Sequence, residues 1–218
     1  MDIKKNKYYE PAEEKLNVLS HAIGLVLSVV ALVMLLVYAS AYGSAWHLVS
    51  VSIYGASLVV LYAASTCYHY VQSPDLRRRL NIVDHAAIYV LIAGTYTPFT
   101  LLVLNGWLGW TLFGVSWGLA LVGIVLKLFF TGSYDRLSTI AYVLMGWLII
   151  FAIKPLIANL PFKGLMWLFS GGIFYTVGAL FYSRKRLRFN HAIFHIFVLF
   201  GSFSHFMAVF FYVLPIKK

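Results

Sequence analysis

Seven times along this chain, charges and turn-forming residues bound a run of about 20 predominantly apolar residues, the length a helix needs to cross the hydrocarbon core of a bilayer. The runs lie roughly at 17 to 39, 47 to 71, 82 to 104, 107 to 130, 137 to 154, 164 to 182 and 190 to 213. Between them stand Tyr42-Gly43-Ser44, Gln72-Ser73-Pro74-Asp75, Asn105-Gly106, Thr131-Gly132-Ser133 and Asn159-Leu160-Pro161, all turn chemistry. Connectors this short make neighbouring helices antiparallel. The expected fold is therefore an all-α membrane protein, a seven-transmembrane-helix bundle over 17–214 with tails at 1–16 and 215–218 and no separate soluble domain. A soluble class is excluded by composition: with 61% hydrophobic and 11% charged residues there is too little polar surface to clothe a water-soluble globule. The first run is longer than a signal-peptide core and lacks a convincing cleavage site, which predicts that it is retained.

Orientation follows from the basic residues near the helix ends. Lys4, Lys5, Lys7, Lys15, Arg77, Arg78, Arg79, Lys127, Arg136, Arg184, Lys185, Arg186 and Arg188, 13 of the 17 Lys and Arg, fall on the amino-terminal side. Only Lys154, Lys163, Lys217 and Lys218 fall on the other. The amino terminus is predicted to be cytoplasmic and the carboxy terminus outside, in a multi-pass protein of the cell membrane. The net charge of +10 is explained by topology and by attraction of anionic headgroups to the basic loops, so nucleic acid is not an expected partner. The single cysteine, Cys67, excludes an internal disulfide and a thiolate metal cluster.

Against this apolar background a few ionisable side chains stand out, and such groups in membrane helices mark functional sites by default. His21 lies near the start of the first run, His69 near the end of the second, Asp84 at the start of the third, and His191 and His195 at the start of the last. The topology places all five in the cytoplasmic leaflet. Six of the seven acidic residues fall in tails, loops or turns, so Asp84 is the one expected to be buried, where a carboxylate needs a cation, a metal or strong donors. His191 and His195 are four apart on one helical face, a spacing that lets both rings bind one ion but also occurs in ordinary interhelical packing. With a third histidine at matching depth, and nitrogen and oxygen the only donors available, the set fits a catalytic zinc site with one open position. Ser65, one turn before His69 on the same face, could hydrogen-bond a water or a substrate carbonyl, or simply bridge helices.

Four motifs, Glu13-Glu14-Lys-Leu-Asn17-Val-Leu-Ser20-His21, Ser65-Thr-Cys-Tyr-His69, Asp84-His85-Ala-Ala-Ile-Tyr89 and His191-Ala-Ile-Phe-His195, occur in this order along the chain. Together they closely resemble the hemolysin III branch of the progestin and adipoQ receptor family. That resemblance spans nearly the whole chain and implies seven helices, a cytoplasmic amino terminus and a Zn²⁺ near the inner face. It implies His69, His191 and His195 as ligands, Asp84 as partner of the metal's water, Ser65 beside that water, and Glu14, Asn17 and His21 in a supporting shell. The chain departs from the eukaryotic adiponectin receptors in carrying His85 after the motif aspartate and in lacking their long amino-terminal extension, so hormone binding is not implied. His85 lies about 100° around the helix from Asp84 and is expected to be structural.

The expected activity is zinc-dependent hydrolysis of an amide or ester in a membrane lipid, tied to membrane lipid homeostasis. Ceramide hydrolysis is linked to the family's eukaryotic members and reaches this chain only as an analogy. Two other classes compete: a membrane-state sensor or receptor with a structural zinc, and a cytolytic pore. No run carries the regular polar stripe that would line a water-filled channel, which ranks the pore last. Gly114 and Gly118, Gly171 and Gly172, and Pro98 are expected to serve helix packing and kinking. His47 is expected at the outer interface. His205, 14 residues and about 21 Å beyond His191, is too far for the same metal and is expected to bond a neighbouring helix.

Overall fold

A computed structural model describes residues 8–104, 106–132 and 134–215. Lys4, Lys5, Lys7, Lys217 and Lys218 of the charge count, and the turn residues Asn105 and Ser133, lie outside them. The chain runs α1 (Pro11–Tyr42), α2 (Ala45–Tyr70), α3 (Pro74–Pro98), α4 (Gly106–Phe130), α5 (Asp135–Gly146), α6 (Ile153–Asn159), α7 (Phe162–Ser183) and α8 (Asn190–Ala208). Because α5 and α6 form one span, seven helices are long and apolar enough to cross a membrane, and strands are absent among the described residues. α1 packs on α2 and α8, α2 on α3, α3 on α4, and α7 on α8. Val26, Leu27, Val30, Val33 and Val37 of α1 and Leu121, Val122 and Phe129 of α4 are exposed, a face matched to acyl chains rather than to water.

Two helices begin earlier than the hydropathy suggested, and both shifts matter for the site. α1 starts at Pro11 rather than near 17: proline suits the first helical position, and Glu13 and Glu14 in the first turn complement the helix dipole. α3 likewise starts at Pro74 rather than near 82, with Asp75 in its first turn. Asp84 is consequently ten residues, about 15 Å, inside α3, and His21 is equally far inside α1. Hydropathy missed these first turns because charged residues solvate a helix end without breaking it.

Proline shapes the other departures. Pro98 has no N–H to donate, and α3 continues as a π-helical turn over Phe99–Leu104. There the Thr100 hydroxyl bonds the carbonyls of Tyr96 at 3.0 Å and Thr97 at 3.1 Å. Ahead of Pro155 the fifth span tightens to a 3-10 turn at Leu148–Ala152. Tyr96 splices this break, its hydroxyl donating to the Gly146 carbonyl at 2.8 Å and accepting from Ile149 N at 2.9 Å.

The expectation that Gly114 and Gly118 mediate helix contact is not met, because a Cβ at either would meet nothing within 4 Å. The expectation is met at Gly171, which approaches the His205 ring, and close approach also occurs at Gly123, against the Tyr89 ring. His47 caps the start of α2, its Nδ1 lying 3.2 Å from Ser44 N and 2.9 Å from Ser44 Oγ.

Candidate metal centre

At the end of the bundle that carries the amino terminus, the last turn of α2 and the first two turns of α8 meet. His69 Nε2 lies 3.1 Å from His191 Nε2, which in turn lies 3.1 Å from His195 Nε2. One donor atom from each of the three buried rings falls within 4.8 Å of the others. Nitrogens about 3.3 Å apart are what a tetrahedral ion with bonds of roughly 2.0–2.1 Å requires.

The distal nitrogens explain why the lone pairs point inward. His69 Nδ1 lies 2.7 Å from Glu14 Oε2, and a carboxylate can only accept, so the His69 proton sits on Nδ1 and Nε2 is free to ligate. Arg77 donates to the other oxygen of Glu14. Arg77 is 1% exposed, lies over the rings of Tyr8 and Tyr68 and also donates to carbonyls at the end of α2. It is therefore part of the site's frame rather than a surface topology charge, unlike its exposed neighbour Arg78, which pairs with Asp75. Ser20 Oγ lies 3.3 Å from His195 Nδ1. The supporting role implied for Glu14 thus has a direct contact behind it, and Glu14→Gln is expected to weaken metal affinity about 10–100-fold. Titration with a competing chelator reads this directly, and unchanged affinity would show that the carboxylate does not tune His69.

His191 is presented by a strained corner. Phe189 takes a left-handed conformation (φ 56°), unusual for a bulky residue, and Asn190 Nδ2 donates to the Tyr182 carbonyl at 2.9 Å. The backbone N–H of His191, in the first turn of α8 where no intrahelical partner exists, donates to Glu13 Oε1 at 3.0 Å. Tyr9, ahead of α1, stacks on the His191 ring at 4.6 Å and donates its N–H to Glu14 Oε1 at 3.3 Å. Burial pushes its phenol well above the usual range, so this cover stays uncharged.

The layer expected for His21, His69, His191 and His195 and the supporting place that the family resemblance implies for Glu14 come together in the structure. His21 stacks on His195 with ring centroids 3.5 Å apart. Asp84 and Ser65 stand on the wall of the adjoining cavity with His21, His191 and His195, and Asp84 is not one of the tightly grouped donors. Glu13, Ser20, Arg77 and Tyr9 had not been singled out as site residues. Paired acids heading an apolar run were the available signal for Glu13; nothing in the sequence separates Arg77 from Arg78 and Arg79. His85 Nδ1 bonds the Asn81 carbonyl at 2.9 Å and lies 3.7 Å from Asp84 Oδ2, and the residue lines the same cavity as Asp84.

The donor set fits a metal ion. Three histidine nitrogens converge, and Ser65 Oγ, the Asn17 amide and both His21 nitrogens are buried without a hydrogen-bond partner among the described residues, as in a site shaped for a further polar occupant. The cavity beside it encloses about 150 Å³. It runs from His191 and Asp84 past Leu91, Phe99 and Phe169 to His205, walled by α1, α2, α3, α5, α7 and α8 and by the break at Trp147.

The chain is 50% identical over 203 residues to Hemolysin-3 of Bacillus cereus, covering 93% of each chain. It is 50% identical over 204 residues to the Hemolysin-3 homolog of Bacillus subtilis (strain 168), covering 94% of this chain and 96% of the relative. A more distant likeness, 26% over 216 residues, covers 95% of this chain and 88% of the Monocyte to macrophage differentiation factor of Homo sapiens. The Haemolysin-III related family profile matches residues 9–206, and with it this multi-pass membrane protein, whose three buried histidines could form a metal site, belongs to the haemolysin III family.

Proposed function

We propose that the protein is a zinc-dependent hydrolase of an amide or ester bond in a membrane lipid, acting from the cytoplasmic leaflet in membrane lipid homeostasis. The reading rests chiefly on one observation: a cluster of three histidines with Asp84 outside it opens onto a long, mostly apolar cavity. His69, His191 and His195 would hold the Zn²⁺, with anionic headgroups drawn to the basic loops outside. When bound, the ion supplies Lewis acidity toward a carbonyl and lowers the pKa of water toward neutrality.

The chain's own groups supply the rest. Asp84 takes a proton from the water that attacks the acyl carbon; a C–O bond forms, the C–N or C–O bond of the lipid breaks, and Asp84 returns the proton to the departing nitrogen or oxygen. Ser65 Oγ, buried and without a hydrogen-bond partner among the described residues, donates to the carbonyl oxygen as it gains charge. Tyr9 covers the histidines from the amino-terminal side and limits entry of bulk water there. The cavity, lined by Ile88, Leu91, Ile92 and Phe99, holds the acyl chain. Were Asp84 to ligate directly it would close the coordination shell and favour a structural ion, and its place outside the tight donor group supports the catalytic reading.

The test uses the full chain, purified, loaded with Zn²⁺ and reconstituted in vesicles containing N-acyl sphingoid bases and diacyl phospholipids. Fatty acid is expected to be released, to stop on chelation and to resume when Zn²⁺ is restored. Absence of release from every amide and ester lipid by metal-loaded protein would overturn the proposal and return the ion to a structural role.

A further inference from the structure

His205 is 8% exposed and lines the far end of the cavity, ten residues beyond His195 on α8. Its ring lies in a notch on α7 that exists because residue 171 is glycine, since a Cβ there would overlap the imidazole. Nε2 lies 3.1 Å from the Leu168 carbonyl, which can only accept. The ring's proton is therefore on Nε2, and Nδ1 presents a lone pair. That nitrogen is buried without a hydrogen-bond partner among the described residues. The neighbouring hydroxyls do not meet it: Tyr175 and Tyr62 each bond Ser202 Oγ at 2.8 Å. The expected interhelical hydrogen bond is thus present, and it uses only one of the two nitrogens. The other is left as an unpartnered acceptor on a residue that lines a largely apolar cavity.

We propose that His205 forms a second polar subsite, at which Nδ1 accepts a hydrogen bond from a hydroxyl group borne by the chain of a lipid ligand. The proposal rests on the reading that an acyl chain lies in this cavity, and it names the class of chain. The rise from His195 to His205 is about 15 Å along the helix, the length of a roughly 12-carbon extended chain. A ligand with its carboxyl or carbonyl carbon at the histidine cluster brings a hydroxyl near carbon 12 to His205. An unsubstituted chain leaves the acceptor unmet, and a hydroxyl midway along the chain falls among Leu91, Ile92 and Phe99. The subsite therefore discriminates by position, because one buried hydrogen bond is gained at one depth and a hydroxyl is desolvated without return at the others.

The experiment is competition of free fatty acids against a fluorescent acid on the full-length protein in nanodiscs, read as binding with no turnover required. 12-Hydroxyoctadecanoic acid is expected to bind about tenfold more tightly than octadecanoic acid, the factor one neutral hydrogen bond supplies, and an octadecanoic acid with its hydroxyl midway between the carboxyl and that depth no better than the unsubstituted acid. His205→Phe and His205→Leu should leave octadecanoic acid binding in place and make the 12-hydroxy acid the weaker ligand. If octadecanoic acid binds but the 12-hydroxy acid shows no advantage in wild type, or keeps its advantage in both variants, the subsite is overturned while the acyl-chain reading survives. If neither acid binds, the reading of the cavity falls and the subsite with it. Should both variants fail to fold, the positional series on wild type alone decides.

Discussion

Asp84→Ala is expected to lower lipid hydrolysis by about 10²–10⁴-fold while the purified protein keeps its metal. Asp84 is a buried carboxylate on the cavity wall that His21, Ser65, His191 and His195 share, and it is outside the group of closely spaced donors. On the proposed function, a residue so placed would move a proton rather than hold the ion. Asp84→Asn sharpens the test, because the amide keeps the shape and a hydrogen-bonding oxygen but cannot act as a base at neutral pH. Fatty-acid release from vesicles, paired with metal content of the same preparations, gives both readouts. Turnover at the wild-type rate in both variants would remove Asp84 from the mechanism, and loss of metal with loss of activity would make it a ligand.

His191→Ala is expected to empty the site. Its Nε2 is the central nitrogen, 3.1 Å from both partners, so its loss leaves two donors on different helices with no bridge between them. A three-histidine site that binds with a total of about 10–16 kcal/mol loses on the order of a third with one ligand, more than a hundredfold in affinity. Metal content should fall from one per chain to well below stoichiometric after dialysis, and α2 and α8 lose a cross-link, so thermal stability falls as well. His205→Ala is the control: the same residue type on the same helix, about 21 Å away along α8, and it should retain the ion. Stoichiometric metal in His191→Ala would sink the assignment of the site.

Much of this architecture was readable from the chain because a bilayer narrows the choice. Every backbone group in hydrocarbon must be satisfied within its own segment, so a long apolar run has one solution, a helix. Turn chemistry at Tyr42-Gly43-Ser44 and Asn159-Leu160-Pro161 falls where α1 and α6 end. Helix ends were less legible. Glu13, Glu14 and Arg77 look like loop residues by hydropathy, yet they sit on helices, and Arg77 is buried against Glu14, the partner of His69. Glycine roles were legible only in part: Gly171 receives the ring of His205 as a packing glycine should, whereas the paired spacing of Gly114 and Gly118 carries no contact and Gly123, which no pattern marks, receives the ring of Tyr89. Which side of a helix meets a neighbour depends on residues far away in the sequence.

The sequence by itself determined a seven-span membrane protein and the residue types of its site, since apolar length and the spacing of His191 and His195 are local, periodic properties. Only the tertiary structure decided which nitrogens converge and which carboxylate serves them. Glu14 from α1 meets His69 from α2, Glu13 caps α8 beneath His191, and Asp84 stays on the cavity wall outside the donor group. These pairings join groups as many as 178 residues apart. They are set by how the helices pack against one another, a relation that no local pattern along the chain encodes.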